Sequence, residues 1–144
     1  MYKFSESSIS NTIGVHPDLV LIATESIKVS PIDFGIPSNG GVRTAEIQYA
    51  LHKSGKSERD GYARISKHQI RRGETHGRAL DVFAYVNGKA SWAEGHLSMI
   101  AGVMLSTAHR LKRDGLIDID LYWGGQFGTA NFDGWDMPHF EVLR

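Results

Sequence analysis

Two separated stretches of the chain carry residue types that can hold and use a metal ion. The first runs from Ser66-Lys67-His68 to Gly77-Arg78-Ala79-Leu80-Asp81, and the second is Asp136-Met137-Pro138-His139-Phe140-Glu141. Together they offer imidazoles, a carboxylate ligand and an acid close to the last histidine. A catalytic zinc needs that set: three protein ligands, a fourth position for water, and a base to take the water's proton. The sequence has no cysteine, so a thiolate site is excluded and any zinc must be held by His and Asp or Glu.

Local pattern gives the second stretch a geometry. Pro138 biases Met137 to extended backbone, so no helix is expected there. In a strand that includes 139–142, His139 and Glu141 share one face, while Phe140 and Val142 share the other and pack on the core. Asp136, just before the bend, can turn back towards His139 and suits a general base. In the first stretch, Asp81 lies in an apolar run, 80–86, where a buried carboxylate needs a partner. Either His68 or His76, both upstream in a polar loop, can supply the second imidazole. Each residue also has a plainer role: a loop histidine is commonly solvated, Asp81 can pair with Arg78, and Asp136 can cap a turn. His96 and His109 fall on a long helix as surface or interface residues, and His16 and His52 are read as structural.

The elements that must position these residues follow from periodicity and turn signals. Asp18 is expected to cap a helix over 18–27, which Pro31 stops; 32–36 reads as a short strand. Thr44 caps a second helix over 45–52. Residues 53–77 are polar and without period, a long loop of the kind that is functional or disordered. The run 80–86 reads as one buried strand, and Asn87-Gly88 as a hairpin turn. Ser91-Trp92-Ala93-Glu94 has the capping-box pattern and opens the longest helix, whose stripe of Leu97, Ile100, Ala101, Met104, Ala108 and Leu111 is core. Residues 117–122 alternate as a half-exposed strand, 124–134 form a Gly-rich loop, and 140–143 a last strand. That order predicts an α+β fold: a small, mostly antiparallel sheet with helices packed on one face.

A length of 144 residues suggests one domain, with 1–15 loosely held, and 41% apolar residues are enough for a packed core. A formal net charge of zero argues against nucleic acid as the main partner. The apolar run at 19–23 is too short to span a membrane, and the first residues lack a signal-peptide core, so synthesis in a cytoplasm and no stable membrane association are expected.

The two motifs resemble a known family. Ser66-Lys67-His68 with Gly77-x-Ala79-x-Asp81, and Asp136-x-x-His139-Phe140-Glu141, resemble the two zinc motifs of the peptidases that include VanY-type D,D-carboxypeptidases and phage L-alanyl-D-glutamate endolysins. Arg43-Thr44 with Gln48 resembles the family's Arg-Thr helix start, and Phe83 to Trp92 around Asn87-Gly88 is similar to the endolysin branch. The resemblance covers residue 31 onward. It implies a hedgehog/D,D-peptidase-like fold, and zinc held by His68, Asp81 and His139. It further implies Asp136 as general base and then acid, Arg43 steadying the oxyanion, and Ser66 and Gln48 contacting substrate. The implied partner is the peptidoglycan stem peptide, cut by a monomer that reaches the wall from the host cytoplasm after the membrane is permeabilised. D-Ala–D-Ala carboxypeptidase or dipeptidase activity, or a non-catalytic zinc-containing wall-binding domain, are the alternatives. The pattern is broken once: His68 and Asp81 are thirteen residues apart, six more than the family spacing, which would place Glu74 where a histidine belongs. The Ser-Lys-His triplet favours His68, with the extra residues looped out; His76 is its rival.

Overall fold

The computed structural model describes residues 1–143. Its elements in chain order are helices α1 (Glu6–Asn11) and α2 (Pro17–Val29), strand β1 (Asp33–Gly35), helix α3 (Ala45–Lys53) and strands β2 (Ala79–Asp81), β3 (Phe83–Val86) and β4 (Lys89–Ser91). Helix α4 (Glu94–Arg113) and strands β5 (Asp120–Trp123) and β6 (His139–Leu143) complete them. The strands form two three-stranded sheets, ordered β1-β3-β4 and β2-β6-β5, and every strand pair is antiparallel. The core lies where α2 and α4 pack together and on the strands. Leu19, Ile22 and Ile27 of α2 meet Leu97, Ile100, Met104 and Leu111 of α4 over Phe34, Leu80 and Phe140. No helix among the described residues is long and apolar enough to cross a membrane.

The α+β architecture and the stripe on α4 stand as expected, and four details differ. The run 80–86 is not one strand but two, divided at Val82, whose N–H adds one more rung to the β2–β6 register by bonding the Pro138 carbonyl at 2.9 Å, a bond Pro138 has no N–H to return. This break is what divides the strands between two sheets. Helix α2 is capped by His16, whose Nδ1 accepts from Asp18 N at 3.1 Å, because Pro17 takes the first helical position and its fixed φ suits that place. Asp18 instead sits in the first turn and accepts from Asp118 N. Ser91 belongs to β4 and forms no capping box; its hydroxyl takes Ala93 N and meets His96 Nδ1 at 2.7 Å. The N-terminal segment, read from sequence as loosely held, carries α1 and is tied in: Ser8 Oγ accepts from Ile36 N, and Val15 bridges Gly77.

Candidate metal centre

Strand alternation aims the site. Phe140 and Val142 of β6 enter the core, so His139 and Glu141 face the other way. The β2–β6 register then sets Asp81 directly opposite His139. His68 arrives from the 53–77 loop, where Ser66 Oγ accepts its backbone N–H at 3.2 Å and its Nδ1 lies 2.8 Å from the Gly41 carbonyl. Gly41 is needed here: a Cβ would lie 2.0 Å from the Asn11 carbonyl oxygen, so a larger residue would push α1 off the segment that orients His68.

Three ligand atoms form a nearly equilateral triangle. His68 Nε2 is 3.3 Å from Asp81 Oδ1 and 3.3 Å from His139 Nδ1, and the latter two are 3.1 Å apart. A tetrahedral zinc with bonds of about 2.0–2.1 Å sets its ligand atoms about 3.3 Å apart, so the triangle fits one face of that tetrahedron. The outer ring nitrogens both meet acceptors: His68 Nδ1 the Gly41 carbonyl, and His139 Nε2 the Glu141 carboxylate at 2.9 Å. In their neutral forms, with each outer nitrogen donating to its acceptor, the two rings turn lone pairs onto one point beside a carboxylate oxygen, an arrangement that attracts a cation. Among the described residues this is the one cluster of three or more such side chains.

The remaining predicted residues fall at different distances from it. Asp136 Oδ2 is 3.9 Å from His139 Nδ1, beside the cluster without joining it. Arg43 donates from Nη2 to Asp81 Oδ2 at 3.1 Å, from Nη1 to Gln48 Oε1 at 3.1 Å, and from Nε to the Asn39 carbonyl at 2.8 Å. Each terminal nitrogen keeps one further N–H for a ligand. Ser66 lines the cleft beside His68. Gln48 does not reach it: the side chain is 0% exposed, with its amide committed to Arg43, Ser57 and Arg59, so the expected substrate contact is corrected to a supporting role. His76 stands apart, bonded to Thr75 and packed near His16, and Arg78 pairs with Glu74 rather than Asp81. The six extra residues therefore loop out and leave His68 in the cluster.

The electrostatics follow from burial and pairing. Burial works against ionising Asp81, yet the facing His68 and His139 hold its carboxyl far below the usual carboxylate range. Burial likewise opposes protonation of His139, but hydrogen bonds to Asp81 and Glu141 prevail and push it up to about 10. Asp136 is raised, chiefly by burial. Glu141 is lowered against the effect of burial by His139 and by Lys67, whose Nζ lies 2.7 Å from Oε2. The cluster opens on a cleft of about 540 Å³ between the 53–77 loop and Phe127, Trp135 and Asp136.

The family model for phage L-alanyl-D-glutamate peptidases matches residues 1–143. The chain belongs to that family. A solved relative, the Serratia marcescens L-Ala D-Glu endopeptidase ChiX, superposes with a TM-score of 0.74 at 27% identity, over 99% of this chain and 90% of that one. No curated protein sequence matches. The phage peptidase thus acts on peptidoglycan, and membership of this family selects the L-alanyl-D-glutamate bond over the D-Ala–D-Ala alternatives. The strand pattern places Glu141 beside His139, but nothing in the sequence pairs Glu141 with Lys67, although Lys67 sits inside the Ser66–His68 triplet. Phe127 and Trp135 also line the cleft, and of the two only Trp135, exposed and adjacent to Asp136, carries a signal in the sequence.

Proposed function

We propose that the phage peptidase is a zinc hydrolase in which His68, Asp81 and His139 hold the metal and Asp136 moves the proton. The observation that carries this reading is the triangle of ligand atoms, two of its sides 3.3 Å and the third 3.1 Å. When bound, zinc supplies Lewis-acid polarisation and lowers the pKa of water towards neutrality. The chain's own residues do the rest. Asp136, whose carboxylate lies 3.9 Å from the His139 ring and outside the triangle of ligand atoms, takes the proton of the attacking water and returns it to the leaving amine of D-glutamate. Arg43, fixed through Asp81, Gln48 and Asn39, turns its two spare N–H groups to the carbonyl oxygen as negative charge grows there, an interaction worth more in the transition state than in the ground state. Glu141 and Lys67 hold the His139 ring against rotation. Ser66 lines the cleft wall where the stem peptide would lie. As an endolysin, the protein would meet its substrate once the membrane of the host has been breached.

The test is digestion of purified muropeptides by protein stripped of metal, followed by return of zinc or of other divalent ions. Mass spectrometry should show separation of L-alanine from D-glutamate only after metal returns. Full activity in protein that elemental analysis proves metal-free would overturn the reading.

A further inference from the structure

The 53–77 loop presents three cations to the cleft, Lys56, Arg59 and Arg71, and none makes an ion pair among the described residues. The other cleft cations are committed, Arg43 to Asp81 and Lys67 to Glu141. Of the cleft carboxylates, Asp81, Asp136 and Glu141 gather around His139, and Glu58 lies on the same loop as the three cations. The loop is not loosely placed at Arg59. Gln48 Nε2 donates to the Arg59 carbonyl and to Ser57 Oγ, both at 2.8 Å, and Ser57 Oγ accepts from Arg59 N at 3.2 Å. The same amide accepts from Arg43, which grips Asp81. One fully buried glutamine thus ties the backbone at Arg59 to a metal-cluster carboxylate. Burying an amide costs free energy unless its bonds are made, and here all of them serve this tie.

The substrate supplies a matching group. D-Glutamate gives its amine to the scissile bond and has two carboxyl groups, of which only one can continue a peptide. The other remains, a few bonds from the nitrogen that is released. A guanidinium engages a carboxylate through two parallel hydrogen bonds, which fixes orientation as well as charge. We propose that Arg59 binds this remaining carboxylate, with Lys56 and Arg71 adding to the field, and that the contact makes the enzyme prefer glutamate to its amidated form. The proposal rests on the reading that the cleft is where the L-alanyl-D-glutamate bond is cut.

The test compares wild type, Arg59→Ala and Arg59→Lys on two muropeptides that differ only in whether the free carboxylate of D-glutamate is amidated. Wild type should cut both at the same bond and favour the carboxylate form. Arg59→Ala should lose about 10- to 100-fold in kcat/KM on the carboxylate form, mostly through KM, and far less on the amidated one, so that the preference collapses. Arg59→Lys should recover part of it, because charge returns without the fork. Equal losses on both peptides, or a preference unchanged in Arg59→Ala, would overturn the proposal alone. Failure of wild type to cut either peptide at this bond would overturn the reading of the cleft and the proposal with it.

Discussion

Asp136 and His139 lie three residues apart and do different work, and the difference can be measured. Asp136→Asn removes the base but no ligand, so zinc stoichiometry should stay at that of wild type while turnover falls by about 10²- to 10⁴-fold. Loss of zinc in that variant would move Asp136 into the ligand set. His139 makes a prediction about protons. In the metal-free protein its pKa is pushed up to about 10, so at pH 7 the ring is charged and both nitrogens donate. Ligation needs a lone pair at Nδ1, so zinc uptake at neutral pH must expel that proton, and affinity must weaken as pH falls. Calorimetric titrations in buffers of different ionisation enthalpy should therefore report net proton release near pH 7; zero release would show that His139 was already neutral.

Among the elements, the Gly-rich segment after β5 positions the base. Gly124 faces the backbone of Asp136 so closely that a Cβ would lie 1.9 Å from its carbonyl oxygen, and Gly134 N bonds the Gly125 carbonyl at 2.7 Å. Gly124→Ala should displace Asp136 and cost roughly 10²-fold in rate, the size expected for a displacement of about 1 Å, while circular dichroism stays native. Unchanged activity would mean the loop yields without moving Asp136. This contact was not legible in the sequence, where 124–134 read only as Gly-rich, because closeness across a loop leaves no periodic trace. The face shared by His139 and Glu141 was legible, since a period of two fixes it. Thr44 as a helix cap and Asn87-Gly88 as a turn were legible for the same local reason. The split at Val82 was not: Leu80 and Val82 are both fully buried, and their hydrophobicity does not reveal which sheet each strand joins. Nor was the burial of Gln48, which only its partners at Arg43, Ser57 and Arg59 explain.

Over the molecule as a whole, the metal would join parts the backbone joins only in part. Asp81 and His139 are already paired across β2 and β6, whereas His68 comes from a loop without helix or strand. Removing the metal should therefore leave the sheet and release the loop. Trypsin has many sites there, including Lys56, Arg59, Arg64 and Arg71, and chelated protein should be cut in this segment faster than the zinc-loaded protein. Equal cleavage rates would mean that hydrogen bonds alone hold the loop. The opposite end of the design space is the β3–β4 hairpin. Its Asn87-Gly88 tip is exposed, belongs to the sheet without metal ligands, and supplies no residue to the cleft lining. Such a tip is a splice point: a foreign peptide grafted between those two residues can redirect the enzyme to a chosen cell surface while the catalytic half of the molecule is left as it is.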